Sequence, residues 1–188
     1  MASRTPARVL TDVLNPFAIF TALFLAVALA ESPVPRALLY VGVELLATVT
    51  VAGYVLLMRR RGRVGDFWIS ASAERLTPAL FLLAAFVVLL VVLTLLGAPT
   101  NLFLVTLSMG LASASVALLT LLFKASAHCT VAGHAAAAGL LLLGPLGIVF
   151  LLALPLVVWA RITLGAHTLP ETLAGAVVGV GFAVLFLA

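Results

Sequence analysis

The sequence predicts an all-α membrane protein, a bundle of six to seven transmembrane helices in one domain covering residues 1–188. Of these residues, 65% are hydrophobic and only 9% are charged, whereas an average soluble domain is about half apolar and a quarter charged. Seven apolar runs also approach the roughly 20 residues that cross a bilayer as a helix. A chain of this size has too little interior to bury so much apolar surface. This excludes a soluble domain, a disordered chain and a disulfide scaffold.

The seven runs follow one another with short polar or Gly- and Pro-containing interruptions. They occupy residues 13–30, 37–58, 78–96, 102–123, 127–143, 146–160 and 172–188. The stretch 97–101, Gly-Ala-Pro-Thr-Asn, predicts a tight turn between the third and fourth runs, and Gly144-Pro145 predicts a break between the fifth and sixth. Stretches of Gly and Ala at 135–139 and 174–181 predict close helix packing.

The cations predict which side of the membrane each helix end faces, because Lys and Arg concentrate on the cytoplasmic side. With a cytoplasmic N-terminus, only Arg36 falls outside. The inside set is Arg4, Arg8, Arg59, Arg60, Arg61, Arg63, Arg75, Lys124 and Arg161. We therefore expect an integral protein of a prokaryotic cytoplasmic membrane. Residues 1–30 also resemble a signal peptide ending Ala-Leu-Ala, but an uncleaved first span is the preferred interpretation.

The scarce polar residues gather at the predicted inside ends of four successive spans. These groups are Arg75, Lys124, Ser126, His128, Arg161, His167 and Glu171. Arginine offers planar, bidentate donors to phosphate oxygens, lysine adds a point charge, and helix N-termini add backbone N–H groups. No cluster has metal-ligand spacing, and Cys129 is the only cysteine. The pattern therefore indicates a phosphate site that needs no metal and no cofactor.

One segment resembles a known family. Arg161, His167 and Glu171 have the spacing of the third motif of the type 2 phosphatidic acid phosphatase superfamily, in which Arg, five residues, His, three residues and Asp follow one another. Gly165 and Gly175 occupy the two glycine positions of that motif. The departure is Glu in place of Asp, which adds one methylene to the side chain.

Two further segments resemble the other motifs of this lipid phosphate phosphatase family. The second motif, Pro-Ser-Gly-His, is similar to residues 125–128, Ala-Ser-Ala-His, which follow Lys124. The first motif, Lys, six residues, Arg-Pro, has a remnant in Arg75-Leu-Thr-Pro78, with Trp68 where its lysine belongs. The resemblance covers about 75–175 and implies a phosphatidate phosphatase/haloperoxidase-like core, with two N-terminal spans at 1–58 added to it.

The resemblance implies a role for each residue. His167 is the expected nucleophile on phosphorus, Glu171 orients its ring, and His128 protonates the leaving oxygen. The expected phosphate ligands are Arg75, Lys124, Ser126 and Arg161. The implied activity is hydrolysis of a membrane lipid phosphate, such as phosphatidate or an isoprenoid (di)phosphate, through a phosphohistidine intermediate. The implied partners are the lipid bilayer and this substrate, without nucleic acid.

Several residues admit a second interpretation. Thr168-Leu-Pro-Glu171 also fits a helix-capping box, and Ser126 also fits a helix N-cap. His134, about 9 Å further along its helix than His128, is a rival for the general acid and otherwise a buried bundle histidine or pocket residue. Glu44 lies mid-span and is expected to face the bundle, paired or protonated.

Two rival functions remain open at this point. A proton-linked transporter or channel predicts that Glu44, His128 and His134 line one continuous polar cavity. The phosphatase interpretation predicts that His128, Arg161 and His167 surround one anion-sized pocket at the membrane face. A third interpretation is a catalytically inactive family member that only binds a lipid headgroup, because Glu171 departs from the motif and the first-motif lysine is missing.

Overall fold

A computed structural model of the chain describes residues 4–67, 74, 76–120 and 122–188. Within these ranges it contains α-helices and no strand. The helices are α1 (Arg4–Val13), α2 (Pro16–Glu31), α3 (Val34–Arg60), α4 (Leu76–Leu95), α5 (Thr100–Leu119), α6 (Ala127–Leu143), α7 (Ile148–Thr163) and α8 (Leu169–Leu187). A 3-10 turn, Gly144–Gly147, joins α6 to α7.

The first predicted span is shorter than expected because Asn15 begins a new helix inside it. Its side-chain Oδ1 accepts a hydrogen bond from the Ala18 N–H at 2.9 Å, and Pro16 occupies the first turn of α2, a position where its missing N–H costs nothing. The preceding helix α1 is bent by 43° relative to α2. The last span also begins earlier than predicted, at Leu169 instead of residue 172.

Side-chain contacts show that neighbouring helices run antiparallel. The Tyr40 hydroxyl, near the start of α3, donates to the Gly97 carbonyl just after α4 at 3.3 Å. Near the opposite ends of the two helices, the rings of Tyr54 and Phe81 stack with centroids 4.0 Å apart. The end of α3 and the start of α4 therefore lie at one end of the bundle.

The predicted break at Gly144-Pro145 is confirmed, and it reverses the chain. Gly144 has a φ of +56°, a conformation that a residue without Cβ adopts easily. Gly147 packs on Gly139 so closely that a Cβ at position 147 would lie 2.2 Å from the Gly139 carbonyl atoms. The continuous helical stretch 127–163 is therefore a hairpin, in which the end of α7 returns to the start of α6.

Small residues of α8 lie directly against the backbone of α6. A Cβ on Gly175 would lie 2.4 Å from the Ser126 carbonyl oxygen, and one on Gly179 would lie 2.0 Å from that of Thr130. Seen from α6, a Cβ on Gly133 would lie 2.6 Å from the Ala176 carbonyl oxygen. The prediction that the glycine-rich stretch of α8 permits close packing is confirmed at Gly175 and Gly179.

The outer surface of the bundle is apolar. Large side chains such as Leu46, Leu95 and Val177 are exposed on it, which suits contact with lipid. Five helical stretches of the described chain are long and apolar enough to cross a membrane, and the bent pair α1–α2 makes a sixth. One of the five is the 127–163 hairpin. The coarse prediction of an all-helical bundle with helices of membrane-spanning length is thus confirmed over the described ranges.

Candidate functional site

The predicted site residues that the structure describes lie at one end of the bundle, where α7 ends and α6 and α8 begin. Two residues of the first-motif remnant, Arg75 and Trp68, lie outside the described residues, so the structure says nothing about their roles. The other six site residues lie in three short segments, at 124–128, 161 and 167–171.

Ser126 begins α6 and joins it to α8. Its Oγ accepts from the Cys129 N–H at 3.4 Å, so the N-cap interpretation of this serine is confirmed. Its backbone N–H donates to the Glu171 carbonyl at 3.1 Å. His128 follows in the first turn of α6 and is buried, with 6% of its surface exposed.

Lys124 precedes this helix start and reaches across to the segment before α8. Its Nζ donates to the Ala166 carbonyl at 3.1 Å, next to His167 in the chain. The ammonium group also interacts electrostatically with Glu171. Lys124 therefore holds the α7–α8 connection in place, in addition to the phosphate contact that the sequence predicts for it.

Arg161 lies in the last turn of α7 and is buried, with 7% of its surface exposed. Its carbonyl accepts from the Ala166 N–H at 3.1 Å, which closes the turn after the helix. Gly165, with a φ of +66°, makes that turn possible. The turn brings His167 back beside the end of α7.

One carboxylate oxygen of Glu171 contacts both His167 and the start of α8. Its Oε2 lies 3.2 Å from His167 Nδ1 and also accepts from the Thr168 N–H at 2.9 Å. A carboxylate three residues after a helix N-cap satisfies a backbone donor of the first turn. The capping interpretation is therefore confirmed, and the contact with His167 exists beside it, while the catalytic role of Glu171 stays a prediction.

The three segments bring two histidines and one guanidinium together. His128 interacts electrostatically with both Arg161 and His167. His167 is buried, with 8% of its surface exposed, and Glu171 is half-buried. The helix start at Ser126 adds backbone N–H groups and the positive end of a helix dipole nearby. Such a set of donors attracts an anion.

A cavity of about 260 Å³ opens from this cluster into the bundle. We call the group His128, Arg161 and His167 its polar end, because all three line the cavity. Most of the remaining lining is apolar and comes from α2, α3, α4 and α5. One cavity thus combines a cationic end with a hydrocarbon-like wall, as an amphiphile with an anionic headgroup requires.

Glu44, in the middle part of α3, lines the same cavity. It is 1% exposed, and its carboxyl group accepts from Thr21 at 3.0 Å and from Thr48 at 2.8 Å. The prediction that Glu44 faces the bundle is confirmed. Thr48, one helical turn after Glu44, could have been found from its spacing, whereas Thr21 comes from α2 and could not.

His134 does not join this cavity. Its Nε2 lies 2.8 Å from the Ser108 Oγ on α5, it is fully buried, and it is not among the lining residues. The transporter interpretation predicted one cavity lined by Glu44, His128 and His134, and the described residues provide only the first two. His134 instead fits the interpretation of a buried bundle histidine.

Thr130 is a lining residue that the sequence interpretation missed. It stands one turn beyond Ser126 on α6, and its Oγ1 donates to the Ser126 carbonyl at 3.0 Å. Its spacing from the motif serine was the available signal. Among the described residues, no group of three or more His, Cys, Asp or Glu side chains is placed to hold a metal ion.

Comparison with known proteins gave no significant match, whether with protein-family models, with curated proteins or with solved structures. The resemblance to the lipid phosphate phosphatase family therefore depends on the motif residues themselves.

Proposed function

We propose that this protein is a divergent, metal-independent membrane lipid phosphatase of the type 2 phosphatidic acid phosphatase kind. It hydrolyses the phosphate, or diphosphate, of a membrane lipid. The observation that carries this proposal is the His167–Glu171 pair beside His128 and Arg161, at the polar end of an otherwise apolar cavity. The corresponding fold is a core of about 75–175 similar to that family, preceded by two N-terminal spans.

The geometry at His167 supports a nucleophilic role. Because Nδ1 is engaged by the Glu171 carboxylate at 3.2 Å, the attacking nitrogen is Nε2. A carboxylate at Nδ1 fixes the imidazole tautomer and stabilises the positive charge that develops on the ring, as it does in catalytic triads. Arg161 lines the same cavity and interacts electrostatically with His128, and in the proposed mechanism its guanidinium stabilises the charge of the phosphoryl oxygens in the transition state.

The proposed reaction has two steps. First, Nε2 of His167 forms a bond to phosphorus while the bond from phosphorus to the lipid oxygen breaks, and His128 gives that oxygen its proton. Second, a water molecule attacks the phosphohistidine, His128 accepts the proton from the water, and the N–P bond breaks to release inorganic phosphate. Each histidine returns to its starting state.

Two arrangements support the alternative of a lipid-headgroup-binding protein without turnover. Glu171 Oε2 is shared with the Thr168 N–H, and Lys124 is directed at the Ala166 carbonyl. Both could be purely structural contacts. The same polar end would then hold an anionic headgroup without attacking it, so the test must measure release as well as binding.

The test is phosphate release by the purified protein, with metals chelated, from a panel of lipid phosphates and isoprenoid diphosphates. We expect release by the native protein, an acid-labile phosphorylated intermediate, and loss of both in His167→Ala. Leu169→Ala is the matched control, because this neighbouring side chain is exposed and should not affect release. No release from any substrate, or undiminished release by His167→Ala, contradicts the proposal.

The orientation is part of the proposal. The cation asymmetry supports a cytoplasmic N-terminus and a polar end that faces the cytoplasm. The exposed arginines Arg59 and Arg60, in the last turn of α3, and Arg61 and Arg63, just after it, lie at the same end of the bundle. Positive charge at that end also attracts anionic lipids. The substrate phosphate would then enter from the inner leaflet.

A further inference from the structure

The cavity has a defined length, because three helices line it over the same distance. Its lining residues run from Val55 to Glu44 on α3, from Pro78 to Leu89 on α4 and from Thr120 to Met109 on α5. At a rise of about 1.5 Å per residue, each of these stretches covers about 16 Å. Since neighbouring helices are antiparallel, the three stretches share a shallow end and a deep end.

The polar end of the cavity lies at the shallow end. Val55, Pro78 and Thr120 are near the helix ends that meet the start of α6, where His128 stands. Glu44, Leu89 and Met109 mark the deep end, with Phe20 of α2 beside them. A ligand phosphate held by the polar end would therefore point its chain toward Glu44.

The wall between the two ends suits one hydrocarbon chain. Val51, Leu82 and Phe86 line it, and moving a methylene from water onto such a wall is favourable. The volume of about 260 Å³ lies just under the range of about 300 to 1,000 Å³ for small-molecule pockets. That volume accommodates one chain more readily than two.

The deep end carries polar groups, which we call the floor: Glu44 and, one helical turn nearer the shallow end, Thr48. The Glu44 carboxyl accepts from Thr48 at 2.8 Å and from Thr21, on the neighbouring helix, at 3.0 and 3.1 Å. These bonds hold the carboxyl group in place beside the apolar wall. A methyl terminus that reached the floor would meet a carboxyl group instead of hydrocarbon, so a further methylene would gain no apolar contact there.

We propose that the floor limits chain length, so that the substrate is a single-chain lipid phosphate whose buried segment is about twelve carbons long. This inference rests on the proposed function in one respect, namely that the phosphate is held at the polar end. Three bonds of an extended chain cover about 3.6 Å, so about 16 Å holds about thirteen bonds. Glu44 is then a specificity residue and takes no part in the chemistry.

The test uses n-alkyl phosphonates of six to eighteen carbons, which cannot be hydrolysed, with the protein in lipid nanodiscs. Ligand binding raises the unfolding temperature. We expect this rise to grow with each added methylene up to about twelve carbons and then to stop growing. Hydrolysis of the corresponding n-alkyl phosphates, measured in parallel, should show the same break.

Three variants make the test specific to the deep end of the cavity. Glu44→Ala and Leu89→Ala should each move the break to longer chains by about two carbons, the reach of the deleted groups along the cavity. Two variants are used because Glu44→Ala also removes the partner of Thr21 and could fail to fold. Val55→Ala, at the shallow end of the same helix as Glu44, should leave the break unchanged.

The outcomes separate this inference from the proposed function. No break in the native protein, or an unmoved break in both folded deep-end variants, overturns the chain-length limit. A break seen with phosphonates but no hydrolysis of any phosphate contradicts the proposed function and supports the limit. Hydrolysis with equal rates for all chain lengths supports the proposed function and contradicts the chain-length limit.

Discussion

The backbone N–H of Ser126 donates to the carbonyl of Glu171 at 3.1 Å. The residues of the second-motif and third-motif segments are therefore joined directly, although 45 positions separate these two residues along the chain. This bond fixes the start of α6 to the start of α8, and the contact of Gly175 with the Ser126 carbonyl lies one turn further along α8. His128 comes two residues after Ser126, and His167 comes four residues before Glu171. This junction therefore holds the two histidines close to each other.

The two roles of Glu171 can be separated by substitution. Glu171→Gln keeps an oxygen acceptor for the Thr168 N–H but removes the charge at His167 Nδ1. We expect phosphate release to fall by about 100-fold or more, with a stability loss below about 1 kcal/mol. Glu171→Ala removes both roles and should cost a further ~1 kcal/mol. Equal loss of stability and activity in both variants would argue for a structural role alone.

Close packing between α6 and α8 predicts that Gly→Ala substitutions in α8 differ strongly in their cost to stability. Gly179→Ala places a methyl group 2.0 Å from the Thr130 carbonyl oxygen, so the helices must separate at a cost of about 1–3 kcal/mol or more. Gly181→Ala, on the same helix, meets nothing within 4 Å and should be neutral or slightly stabilising. Unfolding temperatures of the two variants check this, and similar values would contradict the packing.

The Ser108–His134 hydrogen bond predicts a stability role without a catalytic one. Ser108→Ala leaves the buried Nε2 of His134 without its partner at 2.8 Å, which should cost about 0.6–2 kcal/mol. Phosphate release per folded molecule should stay unchanged, because His134 does not line the cavity. Ser115→Ala on the same helix is the control. A large loss of turnover in folded Ser108→Ala would make His134 a rival for the general acid again.

Orientation can be measured with single cysteines, because native Cys129 is fully buried. Arg63 follows α3 and Arg36 lies at its start, so the two exposed residues stand at opposite ends of one helix. An impermeant thiol reagent applied to intact cells should label Arg36→Cys and spare Arg63→Cys, and it should label both after permeabilisation. The reverse pattern would place the polar end on the outer side.

The helices themselves were largely predictable from hydropathy. The break at Gly144 and the tight turn at 97–101 follow from residues whose backbone preferences are local. The extra break at Asn15 was missed because residues 13–30 are apolar on both sides of it, and hydropathy does not register an N-cap. The same limitation explains why the predicted start of the last span, residue 172, was three residues late. Thr168-Leu-Pro-Glu171 is a polar sequence, but it initiates α8 at Leu169.

The site was predictable only as a set of residues. The spacing of His167 and Glu171 predicts that both lie near one helix start, and the structure places them 3.2 Å apart. The direction of Lys124 toward the Ala166 carbonyl depends on how two loops meet, which no spacing specifies. The cavity that His128 and Glu44 both line is built by residues of six helices, α2 to α7, so its existence is a property of the assembled bundle.

The shared oxygen of Glu171 has a consequence for how such a site can arise and be lost. An imidazole that stands just before a helix beginning Thr-x-x-Glu acquires its orienting carboxylate from the helix start itself. Few simultaneous substitutions are then needed to create the pair, so the arrangement is accessible by small evolutionary steps. For the same reason, selection to preserve the start of α8 would retain the His167–Glu171 geometry in descendants that no longer turn over any substrate.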